Sequence, residues 1–143
     1  WVICSHPVLI KYFTEAKQKT DSHANGLIQR TLWQYFADTD VAAQAKKVRT
    51  IYNDKRAVAV AAAEKFFTGK AQVAPVTGGT FLWVTPSTKI DSVAFFEKAL
   101  SAGVSIIPGK LFGHNSNHSF YLNFGGATAA QIEQGIMELS KLM

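Results

Sequence analysis

The spacing of apolar positions changes from helical to alternating and back, and each change marks an element. Leu9, Tyr12, Phe13 and Ala16 fall at helical spacing behind Ser5-His6-Pro7, where a proline suits a first helical turn. Residues 2–4 read as the tail of a strand. After the polar stretch 20–26, Leu27, Leu32, Trp33 and Phe36 mark a second helix. Asp38, Thr39 and Asp40 offer N-caps for the longest element, 41–67. Val41, Ala45, Val48, Tyr52, Ala59 and Ala63 lie along one side of it, with Lys46, Lys47, Arg49, Lys55 and Arg56 over much of the rest. At 1.5 Å per residue it would run about 40 Å, which suits a helix spanning two domains. The favoured reading of its cations is a solvated basic face.

The period then drops to two. Residues 72–76 and 80–85 read as strands joined through Gly78-Gly79, with Phe81 and Trp83 on one face and Leu82 and Val84 on the other. Pro86 closes the second strand. Asp91 caps a helix carrying Val93, Phe96 and Leu100, and Gly103 ends it. A short strand at 104–107 stops at Pro108-Gly109, and 113–118 is a polar loop. In the last strand, 119–124, Phe120, Leu122 and Phe124 face one way, Tyr121 and Asn123 the other. Thr128 and Gln131 form a capping box opening a final helix with Ile132, Ile136 and Leu139 inward. The whole is α+β: a small, mostly antiparallel sheet of about four strands packed against helices, preceded by a long interdomain-type helix.

Composition narrows the class without naming a function. Residues 1–143 form one domain, 48% apolar and 17% charged, with a formal charge of +5. That balance excludes disorder and only weakly favours acidic partners. No apolar run approaches the roughly 20 residues of a membrane span. A single cysteine, Cys4, points to a reducing, cytoplasmic setting. The apolar opening Trp1-Val2-Ile3-Cys4, without an initiator Met, suggests a piece of a longer protein.

No self-sufficient active site is visible. His114 and His118 are four apart, but in a Gly/Asn/Ser loop rather than a helix, so they read as surface histidines and no metal is expected. His6 and His23 sit at helix boundaries as caps or solvent contacts. Gly78-Gly79 and Pro108-Gly109-Lys110 lack phosphate-loop spacing. Acidic residues are scattered, with no pair placed to share acid and base roles. Phe120, Phe124, Trp83 and Tyr121 read as core aromatics, except that Tyr121 points away from the Phe120/Phe124 face.

Five stretches carry a resemblance. They are Gly78-Gly79-Thr80-Phe81-Leu82-Trp83-Val84-Thr85-Pro86, Ala99-Leu100-Ser101-Ala102-Gly103-Val104, Pro108-Gly109-Lys110-Leu111-Phe112, Leu122-Asn123-Phe124, and Ile132 to Leu139 with its Gly135. Together with Tyr52-Asn53-Asp54-Lys55-Arg56 they make the chain similar to the C-terminal small domain of class I/II aminotransferases, the fold type I pyridoxal-phosphate enzymes.

The resemblance implies a domain that closes the cofactor and substrate cleft during amino-group transfer between an amino acid and a 2-oxo acid. It also implies pyridoxal 5'-phosphate as cofactor and a homodimer. No residue of this chain is expected to be catalytic, because the lysine that anchors the cofactor would precede Trp1; the isolated chain is expected to be inactive. The substrate-binding residues it implies are Tyr121 and Asn123. Tyr121 stands where the family carries its carboxylate-gripping arginine, and a phenol offers one neutral donor in place of a two-pronged cation. The alternative is the effector domain of a MocR/GntR-type transcription regulator, the one case in which nucleic acid would be a partner.

Overall fold

The computed structural model describes residues 3–143. The strand tail expected at residues 2–4 falls partly outside them; Ile3 and Cys4 have no regular structure. The chain divides into two compact units, meeting between Ala45 and Lys46.

The first unit holds α1 (Pro7–Thr20) and α2 (Gly26–Asp38). Pro7 opens α1 as expected, but His6 makes no side-chain cap. Asn25 caps α2 by accepting from the Leu27 and Ile28 N–H groups. His23 contacts the Ala24 carbonyl through Nδ1. No residue of either helix is buried, and the large apolar residues of the stripes run exposed, from Leu9 at 47% to Leu27 at 73%. Two helices of 14 and 13 residues present more apolar surface than they can cover between them.

α3 (Val41–Phe67) opens with Asp40 accepting from the Ala43 N–H. Its buried residues are Ala59, Ala62, Ala63 and Phe67, all in the C-terminal third. Val41, Val48 and Tyr52, on the same side of the helix, are exposed.

In the second unit, β1 (Ala71–Val73), β2 (Phe81–Pro86), β3 (Ile107–Pro108) and β4 (Phe120–Asn123) form an antiparallel sheet ordered β1-β2-β4-β3. α4 (Ser92–Ser101) and α5 (Ala129–Leu142) complete it. Leu82, Val84, Phe120, Leu122 and Phe124 face a core shared with Phe67, Phe95, Ile132, Ile136 and Leu139. The capping box of Thr128 and Gln131 forms as read.

Four boundaries differ from the sequence reading, each for a physical reason. β1 ends at Val73 because Pro75 has no N–H and the Val76 carbonyl is taken by Arg56 Nη1 at 3.3 Å. Pro86 lies within β2, opposite Ala71; the neighbouring bonds, Ala74 N–H to Trp83 and Ser87 N–H to Lys70, put this pair at a non-hydrogen-bonded position. β3 shrinks to two residues because the Val104 N–H is spent on the Ala99 carbonyl, finishing the helix stop at Gly103, whose φ is +79°. α4 turns Ser92, Phe95 and Ala99 inward, leaving Val93 and Leu100 exposed at 40% and 55%. Ser92 is the hidden determinant: its hydroxyl donates to Asn117 Oδ1 and accepts the Lys110 N–H, which draws that face onto the loop.

Asp91 caps α4 by accepting the Val93 and Ala94 N–H groups. The Ala94 N–H, then the Asn117 side-chain amide and the Val93 N–H, hold its carboxyl below the usual carboxylate range. A lowered folded pKa stabilises the fold above the unfolded value, and that contribution is lost as pH falls through the folded one. Melting temperatures from about pH 5 to about pH 2.5 should therefore fall less steeply in Asp91→Asn, which keeps the acceptor without the charge. Equal slopes would show that Asp91 does not couple folding to protons.

Among the described residues no helix is long and apolar enough to cross a membrane, and no cluster of three His, Cys, Asp or Glu side chains could hold a metal.

Candidate functional site

β4 runs between β2 and β3, so its side chains alternate between the core and the opposite face of the sheet. Phe120 and Leu122 go to the core; Tyr121 and Asn123 go to the other face, as their alternation predicts. Register places Trp83 and Ile107 on either side of Tyr121, and Phe81 beside Asn123.

Around Tyr121 this row becomes an aromatic cluster. Phe81 stacks on the Tyr121 ring at 4.5 Å, Trp83 meets it edge-on at 5.5 Å, and Phe112 leans on it at 5.3 Å. Trp83 and Phe112 also meet edge-on, at 5.6 Å. Such contacts favour one ring orientation over free rotation. Among the described residues the Tyr121 hydroxyl has no hydrogen-bond partner, so it remains available to a ligand. Grouping Trp83 with the core aromatics is thus corrected: Phe120 stacks on Phe95 in the core, while Trp83 sits across the sheet with Tyr121, the one aromatic already set apart by its alternation. The sequence did not signal Phe112, since a 3₁₀ turn (Gly109–Phe112) brings it back over β2 and β4.

Asn123 is the last residue of β4. Its Oδ1 accepts the Gly125 N–H at 2.7 Å, and Lys55 Nζ donates to the Gly125 carbonyl at 2.7 Å. Two register steps beyond Ile107–Tyr121, Ser105 would face Asn123, but among the described residues no backbone bond joins them. The cleft between them, about 740 Å³, is bounded by Ile107, Tyr121, Asn123, Gly126, Gln131 and Gly135. Both residues singled out from sequence therefore border one cleft, with polar and apolar walls suited to a small amphipathic molecule.

Reading every cation of α3 as solvated is corrected at two positions. Lys55 and Arg56 are half-buried and bind the Gly125 carbonyl just after β4 and the Val76 carbonyl just before the Gly78-Gly79 turn. Their signal was the Tyr52-to-Arg56 motif. The remaining histidine of interest, His118, contacts the Ile90 carbonyl at 2.7 Å.

The described residues do not fit a phosphorylated, covalently anchored cofactor. Lys55 and Lys70 are held by the Gly125 and Ser140 carbonyls, and Lys65 and Lys141 pair with Glu133 and Glu138. The other lysines are exposed, and none lies in the cleft.

No protein-family model matches the chain. It is 30% identical, over 97% of its length, to an uncharacterized aminotransferase of Saccharolobus solfataricus, and 28% identical, also over 97%, to aromatic-amino-acid aminotransferase 1 of Thermococcus litoralis. It covers 35% and 34% of those proteins. An uncharacterized HTH-type transcriptional regulator of Bacillus subtilis is 26% identical over the whole chain, which covers 30% of it. The chain thus spans about a third of the length of the curated relatives it matches. Among solved structures, Pyrococcus horikoshii kynurenine aminotransferase superposes with a TM-score of 0.85 at 29% identity, over 94% of this chain and 34% of that one. Multiple substrate aminotransferase from Thermococcus profundus gives 0.84 at 27%, over 96% and 34%.

Proposed function

We propose that the chain, similar to about a third of the length of several aminotransferases, is the C-terminal small domain of a pyridoxal-phosphate-dependent aminotransferase of fold type I and closes its substrate cleft. The intact protein would be a cytoplasmic homodimer moving an amino group between an amino acid and a 2-oxo acid. Pyridoxal phosphate, when bound, supplies the electron sink for that chemistry. This chain's residues do not fit it, so the 143 residues alone are inactive and their contribution is to position substrate and exclude water.

The observation carrying this reading is that Tyr121 and Asn123 border one cleft at the end of β4. Tyr121 presents a hydroxyl on a ring packed by Phe81, Trp83 and Phe112, which orients a ligand without a cation. In the intact protein, adding pyridoxal phosphate should give visible colour that an amino donor discharges. Protein that stays colourless sinks the enzyme reading.

Substituting Tyr121→Arg should lower KM for ordinary α-amino acids about tenfold, since a charge-assisted, two-pronged contact replaces a single neutral donor. An unchanged KM would remove Tyr121 from the carboxylate position.

The Bacillus relative favours a second reading, an effector domain within a transcription regulator. Sequence-specific DNA binding by the intact protein, altered by an amino acid and without amino transfer, would decide for it.

A further inference from the structure

Two consecutive cations of α3 reach the same end of the central strand pair. Lys55 Nζ donates to the Gly125 carbonyl, just after β4 ends. Arg56 Nη1 donates to the Val76 carbonyl, just before the Gly78-Gly79 turn that leads into β2. That end of β2 pairs with the end of β4: Phe81 lies opposite Asn123, and the Phe124 N–H donates to the Thr80 carbonyl. Residues adjacent on a helix point about 100° apart, so one helix straddles two loops with neighbouring side chains.

Gly125 is held through both of its backbone groups. Its N–H goes to Asn123 Oδ1 and its carbonyl to Lys55 Nζ. Space there is tight: a Cβ on Gly125 would sit 2.9 Å from Thr80 Cβ and 3.3 Å from Asn123 Oδ1. The position of Gly125 therefore fixes where the Asn123 amide points.

We propose that Lys55 is a positioning residue, acting through the Gly125 peptide to aim the Asn123 side chain at the cleft beside Tyr121. Arg56 holds the facing loop, so the pair clamps the substrate end of β2 and β4 to α3. The inference rests on the cleft reading for Asn123, but the clamp can be tested separately from it.

In the 143-residue chain, Lys55→Met should shift the Asn123 side-chain amide and Gly125 N–H resonances. Exchange of the Gly125 amide should quicken about tenfold, as losing one charge-assisted bond implies. The amides of Leu82 and Val84, buried in the core, should not change. Lys55→Arg, which keeps a donor of similar reach, should restore the native signals. Unmoved Asn123 and Gly125 signals, or equal quickening of the core amides, would overturn the proposal. In the intact protein the same Met variant should raise KM for the amino donor about tenfold with kcat within about twofold, and Lys55→Arg should reverse this. Displaced resonances with an unchanged KM would overturn the assignment of Asn123 to substrate while leaving the clamp itself standing.

Discussion

Gly109→Ala is expected to cost about 3 kcal/mol or to abolish folding of the second unit. A Cβ at Gly109 would fall within the van der Waals envelope of the Ser116 and Ser119 carbonyl oxygens and 2.9 Å from the Ser119 carbonyl carbon. All three atoms are backbone, so no rotamer change relieves the overlap. Relief requires moving β3 from β4, which breaks the Gly109 N–H bond to Ser119 at 2.9 Å and disturbs the Ile107–Tyr121 pair that bounds the cleft. Gly78→Ala is the matched control, because a Cβ there meets nothing within 4 Å and Gly78 does not have positive φ. Denaturant midpoints should separate the two variants widely. Equal midpoints would mean that the loop at Ser116–Ser119 yields freely.

Phe120→Ala should remove about 4 kcal/mol, a fall in melting temperature of roughly 20 °C for a unit of this size. Phe120 is fully buried, stacks on Phe95 at 5.2 Å, and pairs with both Val84 and Pro108. The cavity would open at the centre of the sheet, where neighbours on two strands and α4 resist collapse. Phe112→Ala loses the same ring from a residue 53% exposed and should cost about 1 kcal/mol or less. Calorimetry on the two variants tests whether the core lies on the Phe120 face; similar losses would contradict it.

The alternation of Phe120 to Phe124 and of Phe81 to Val84 made the sheet's two faces legible, because period two leaves few options once a Gly-Gly turn fixes the connection. The cap at Asp91 and the box at Thr128 and Gln131 were legible for the same local reason. α4 was not: Val93, Phe96 and Leu100 and the buried Ser92, Phe95 and Ala99 both satisfy helical spacing. Only the nonlocal bonds of Ser92 to Asn117 and Lys110 decide between them. Gly109 looked like a turn glycine, yet its requirement is close approach of the Ser116 and Ser119 backbone, which its own residue type does not reveal.

For the site, Tyr121 and Asn123 followed from strand parity together with the family resemblance. Phe112 was hidden because 3₁₀ geometry brings it back to the strand. Lys55 and Arg56 were flagged by the Tyr52-to-Arg56 motif, but what they bind was not legible, because their partners are carbonyls, which no residue type advertises. The stripes of α1 and α2 were correctly read as amphipathic, but amphipathicity says nothing about what lies against them.

β3 is an edge strand of two residues, one of them Pro108, and the opposite edge, β1, has only three. Short borders with a missing amide give an incoming strand little to hold. Should this chain precipitate at high concentration, fibrils grown by stacking its sheets edge to edge are therefore not the expected product.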